Sequence, residues 1–212
     1  MKSPLAEKER AALIEAMLPM VPFDGWSRAA LRIAARRCGL GVDEAQALFP
    51  RGAVDLVAGF SRWTDQRMLD RLDTSPLADA GLSDRIARAV ATRFEIVEPW
   101  REAVRRALGV LALPPNAALA ARLVYETVDA IWYAAGDMAT DFSFYTKRAT
   151  LFGIYCSAML YWLEDRSEGF ADTRAFIDRR LAGTTRVSRL RRDLETVAER
   201  LPNPLRLLRP LG

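Results

Sequence analysis

Asp137 and Asp141 stand four positions apart beside Thr140, Tyr145, Lys147 and Arg148. Paired carboxylates can serve as general acid and general base, and no other acidic pair in the chain is as well placed for that work. Capping of a turn explains both acids more simply. The chain has no histidine, which removes Ser-His and Cys-His nucleophilic chemistry, His-based zinc sites and the Glu-x-x-His ligands of di-iron bundles. Cys38 and Cys156 make no ligand pattern and read as buried free thiols in a reducing compartment. No catalytic residue, no metal and no cofactor is expected, and the protein is read as a non-enzyme.

The same stretch has other uses. Phe142, Phe144 and Tyr145 cluster where a helix should begin, and aromatic side chains with an arginine form the usual anchors of a protein interface. Behind them, residues 149–163 carry no charge. A transmembrane helix needs ~20 apolar residues, so this run is expected to be a buried helix, apolar all round. Leu151, Phe152, Tyr155, Met159 and Trp162 fall at spacings of three and four. They read as core or as the wall of an adaptable apolar cavity.

Half of the 212 residues are hydrophobic, enough for a sizeable core. The net charge of +4 and the pI near 9.4 permit anionic partners. Apolar residues recur with helical spacing throughout and no strand pattern or internal repeat appears, so the fold is expected to be all-α. Helices are predicted over 5–18, 28–37 behind a Ser27 N-cap, 42–49 and 53–72. Gly39 is placed as the left-handed residue that ends the second of these. Helix, tight glycine turn and short helix outline a helix-turn-helix. Leu48-Phe49-Pro50-Arg51-Gly52-Ala53 resembles the junction after the recognition helix of TetR-type regulators. DNA reading needs cations on the short helix, yet that helix offers Asp43, Glu44 and Gln46 and no Lys or Arg. A ligand-responsive repressor is thus the weaker alternative, and no nucleic-acid partner is expected.

Residues 73–83 read as a connection between a unit over 1–73 and a second over 83–182. Ser83 is predicted to cap a helix broken near Pro99, and Asn116 to cap another over 117–135 that Gly136 stops. The latter brings Val128 and Trp132 to its apolar face. After a helix over 170–181, the segment 184–212 repeats Val187, Leu190, Leu194, Val197 and Leu201 as one stripe. Its seven arginines, Arg191 among them, face three acids. Such a basic amphipathic helix suits a membrane interface.

Gly136-Asp137, Thr140 to Ala149, Leu151, Ile154-Tyr155, Asp165, Phe170 to Thr173 and Phe176 together closely resemble the signature of the ninth Coq protein family, accessory proteins of ubiquinone biosynthesis. With the degenerate helix-turn-helix, the resemblance spans residues 5–182. It implies a TetR-like helical bundle that has exchanged DNA for an isoprenoid or other lipid. It further implies docking on the di-iron demethoxyubiquinone hydroxylase and attachment to the membrane through a C-terminal amphipathic helix. The lipid would meet Val128, Trp132, Leu151, Phe152, Tyr155, Met159 and Trp162. The hydroxylase would meet Asp137, Asp141, Phe142, Phe144, Tyr145 and Arg148. The membrane would meet Val187, Leu190, Arg191, Leu194, Val197 and Leu201. Phe144 departs from the mitochondrial pattern, which has Trp there; the ring is kept and the indole N–H is lost. A homodimer is expected by analogy with TetR-type proteins. The acids of the first 18 residues fit neither a signal nor a transit peptide, so the expected place is the bacterial cytoplasm, on the inner face of the inner membrane.

Overall fold

The computed structural model describes residues 4–73, 80–136 and 143–183. Within them the backbone is helical, with no strand. Helix α1 (Pro4–Met17) is followed by a one-turn helix, α2 (Val21–Asp24), whose Pro22 occupies the first turn where no N–H is needed. Helix α3 (Arg28–Arg37) starts where the sequence places it: the Ser27 hydroxyl accepts from the Ala30 N–H at 3.2 Å. At its far end Gly39 has φ +69°. The Leu40 N–H then returns to the Ala35 carbonyl at 2.9 Å, which closes a Schellman turn. A short α4 (Val42–Leu48) and the long α5 (Ala53–Asp73) complete the N-terminal unit.

Helix α6 (Leu82–Val97) begins one residue before Ser83; Gly81 is its cap, so the serine sits inside the first turn. Pro99 imposes a 3-10 turn before α7 (Arg101–Leu111). Asn116 also differs from expectation. Its backbone is already helical, and its side chain donates to the Val110 carbonyl at 2.8 Å, folding the 114–116 turn back onto α7. Helix α8 (Ala117–Ala134) ends in Gly136 at φ +75°, a conformation that favours glycine. Helix α9 (Ser143–Glu164) and, after a 3-10 turn at Glu168–Phe170, helical residues 171–183 (α10) finish the described fold.

One continuous apolar core runs from Leu13 and Trp26 through Phe60, Phe94 and Val128 to Trp162 and Leu181. It therefore crosses the 73–83 connection. The Trp26 indole donates to the Ala103 carbonyl at 3.0 Å, which ties the N-terminal unit to α7. Helix α5 is central, with α1, α6, α7 and α8 packed around it, and α9 lies along α8. Among the described residues, no single helix is long and apolar enough to cross a membrane.

Candidate functional site

Helices α8 and α9 carry the residues of interest, and their two faces differ sharply. Val128, Trp132, Leu151, Tyr155 and Trp162 all point into the core; none is more than 5% exposed. Phe152 and Met159 are half-buried at the edge of this wall. The five buried positions belong to the common core, and Phe152 and Met159 pack against it. Grooves of about 850 Å³ (beside Phe49, Trp63 and Arg122), about 820 Å³ (beside Leu18 and Trp100) and about 490 Å³ (beside Leu72, Thr92 and Ile177) are lined by other residues.

Polar groups are sunk into that wall. Arg93 on α6 donates to Asp65 on α5 at 2.7 Å, and the Thr127 hydroxyl is 3.1 Å from both Asp65 oxygens. The Arg93 guanidinium lies 5.4 Å from the Tyr155 ring centroid, and Phe94 stacks on the same ring at 5.9 Å. Burial drives the Tyr155 phenol far above its ordinary pKa; Arg93 pulls it back in part, while Asp65 adds to the rise. The hydroxyl stays protonated. Burial also works against the charge on Arg93, and the Asp65 carboxylate it donates to favours that charge. Two donors in this wall, the Tyr155 hydroxyl and the Trp132 indole N–H, are buried without a well-formed hydrogen bond, an unusual state for buried polar atoms. Sequence reading missed the Asp65–Arg93 pair. The available signal was charge at core-phase positions, since Arg93 falls among Ala89, Val90, Phe94 and Val97.

Trp162 is the most heavily held residue of α9. Its ring stacks on Phe94 at 5.3 Å, its indole donates to Glu98 at 2.8 Å, and the Arg101 guanidinium lies over it at 4.7 Å. Arg101 also donates to the carbonyls of Trp162 and Asp165 and to Glu98, while Arg105 donates to the Leu163 carbonyl at 3.1 Å. Two arginines of α7 therefore satisfy carbonyls that the end of α9 leaves open. Beyond them, Asp165 accepts from the backbone and hydroxyls of both Ser167 and Thr173. Burial raises its pKa, but these four hydrogen bonds outweigh that and leave it at about 2.

At the other end of α9, Tyr145 is 72% exposed, which suits an anchor. Arg148 does not share that placement. It is 7% exposed and donates twice to Asp129 of α8, at 2.7 and 2.9 Å. The two positions differ by about 60° around the helix axis, and Arg148 clamps α9 to α8 instead of facing outward. Lys147 lies 5.7 Å from the Trp132 ring. Asp137, Asp141 and Phe142 fall outside the described residues, as does the Phe144 side chain; Val187, Leu190, Arg191, Leu194, Val197 and Leu201 fall outside them as well.

The COQ9 family model matches residues 117–188, which include α8, α9 and α10. The chain is 31% identical over 202 residues to "Ubiquinone biosynthesis protein COQ9, mitochondrial" of Rattus norvegicus, covering 92% of this chain and 64% of that protein. It is 30% identical to the Homo sapiens protein of the same name, over 92% of this chain and 63% of that one. It is 33% identical to the Drosophila melanogaster protein, over 81% and 54%. The chain thus spans less than two thirds of the length of these relatives. In fold it is similar to a TetR transcriptional regulator from Nitrosomonas europaea, with TM-score 0.65 and 23% identity over 82% of this chain and 97% of that one. That likeness describes an all-α, TetR-like architecture.

Proposed function

The chain belongs to the COQ9 family, and on that premise we propose that it serves ubiquinone biosynthesis as a non-enzymatic, lipid-binding adaptor. It takes a prenylated quinone precursor at the membrane and presents it to the di-iron demethoxyubiquinone hydroxylase. The observation that carries the reading is the division of α9: an exposed Tyr145 at one end, and an aromatic, uncharged wall along its inner length. Transfer of a prenyl tail from bilayer to water is opposed by about 25 cal/mol per Å² of apolar surface. A greasy wall beside a docking surface lowers that barrier. The prenyl chain would lie along the half-buried edge, at Phe152 and Met159, with the five buried side chains behind it. Tyr145 and Phe144 would anchor the hydroxylase, and the basic segment from Val187 to Leu201 would hold the protein on the inner face of the bacterial inner membrane. Uncharged, exposed positions on both helices (Tyr125, Tyr133, Ala149, Leu160) favour a homodimer through α8 and α9. The exposed acids Asp43 and Glu44 at the start of α4 oppose phosphate and disfavour a repressor.

Native mass spectrometry of the purified chain should show a bound lipid, identified by extraction, and the hydroxylase should co-purify with it. Tyr145→Ala should abolish co-purification and leave the lipid in place. A lipid-free protein that captures no hydroxylase would overturn the proposal.

A further inference from the structure

Helix α3 carries four arginines, Arg28, Arg32, Arg36 and Arg37, and no acid. Many arginines elsewhere are matched, such as Arg101 with Glu98, Arg106 with Glu102, Arg67 with Glu15 and Arg62 with Glu126. Among the described residues, the α3 arginines enter no ion pair. Arg28 alone has a polar contact, to the Pro50 carbonyl at 3.3 Å. All four are exposed. At 100° per residue, the outer half of α3 runs in the order Arg28, Arg32, Arg36, Ala29, Ile33, Arg37. A narrow apolar strip, with Ile33 40% exposed, is therefore bordered by guanidinium groups on both sides. Immediately before α3, Phe23 is 84% exposed.

We infer that the outer face of α3, with Phe23, is a docking surface for anionic phospholipid headgroups. Charge complementarity supplies the attraction, because the ridge has no acid of its own to neutralise it. Ile33, exposed between the cations, and the exposed Phe23 of α2 distinguish a membrane surface, where apolar side chains enter the headgroup layer, from a duplex, which would leave them in water. Asp24, Asp43 and Glu44 on the flanking elements are also exposed. The two on α4 stand where the helix-turn-helix would read bases. This surface stands apart from the α8–α9 wall, so it neither requires the lipid-adaptor reading nor supports it.

Vesicles of phosphatidylglycerol and phosphatidylethanolamine, compared with neutral phosphatidylcholine vesicles, test it on the full chain. Amide hydrogen exchange of the peptide covering residues 28–37 should slow with the anionic vesicles and not with the neutral ones. Replacing Arg32, Arg36 and Arg37 together by Ser should weaken co-sedimentation by about 100-fold, at roughly five-fold per cation. The triple Lys variant should retain binding. The lipid content seen by native mass spectrometry should be unchanged in both, which separates this surface from the cargo wall. Unchanged exchange in α3 on vesicle-bound protein would overturn the inference. So would a Ser variant that still sediments as the parent does, or a DNA duplex that binds as tightly as the vesicles and is lost in the same variant.

Discussion

The two ends of α9 are built on opposite rules. Its C-terminal half is over-determined: Trp162 is stacked, hydrogen-bonded and covered by a cation, and the last carbonyls are taken by Arg101 and Arg105. Its N-terminal half is held to α8 by the Arg148–Asp129 pair, and one turn away Tyr145 stands in solvent. A helix can present a side chain for recognition only if something fixes its axis. Here the fixing is done by the Arg148–Asp129 pair three residues on and by the held C-terminal half, so the exposed Tyr145 can be chosen for its partner and not for stability.

That contrast can be broken in graded steps. Trp162→Ala should have the largest effect, about 3–5 kcal/mol of lost stability in urea denaturation, because cavity, stacking and hydrogen bond go together. Asp65→Ala should come next, at about 3 kcal/mol, since it strands the buried Arg93 charge. A much smaller loss would mean that Arg93 finds another partner or water. Asp165→Ala should cost about 2 kcal/mol by freeing four donors.

Asp165 also leaves a pH signature. Its folded pKa of about 2 lies below the ordinary 3.8. The stabilisation it gives is thus complete above about pH 4 and fades as the pH falls towards 2. Thermal melts of the parent should drop across that window, and Asp165→Asn should drop less. Tyr145→Ala is the smallest change in stability, within about 0.5 kcal/mol, yet it should lose hydroxylase co-purification. A marked fall in melting temperature would show that Tyr145 is structural and would erase the difference between the two ends.

Much of the fold was legible in the residues. The Ser27 cap, the Gly39 and Gly136 stops and the Pro99 break are local chemistry, so they act without distant partners. Ser83 was misplaced because a cap depends on where the helix axis starts, which packing decides; Asn116 stands at the expected position before α8, but its side chain turns back to the Val110 carbonyl. The wall of α8 and α9 was legible for the same reason as the helices: apolar spacing of three and four has one geometric meaning. Arg148 was not, since a cation at a helix start looks exposed until Asp129 of α8 is brought beside it.

Composition and period alone determined the all-α class, the absence of histidine chemistry and which side chains of α8 and α9 face the core, because these follow from side-chain type and a fixed helical repeat. Only the tertiary structure decided which charges are buried, which end of α9 is clamped and which arginines have acids. Local pairs such as Arg101–Glu98 and Arg106–Glu102 follow the helical repeat, but others join residues 19 to 79 positions apart, and no local rule of sequence ranks one distant partner over another. Packing makes that choice, by bringing one carboxylate within reach of the buried Arg93 and of Arg148 and leaving the arginines of α3 with none among the described residues.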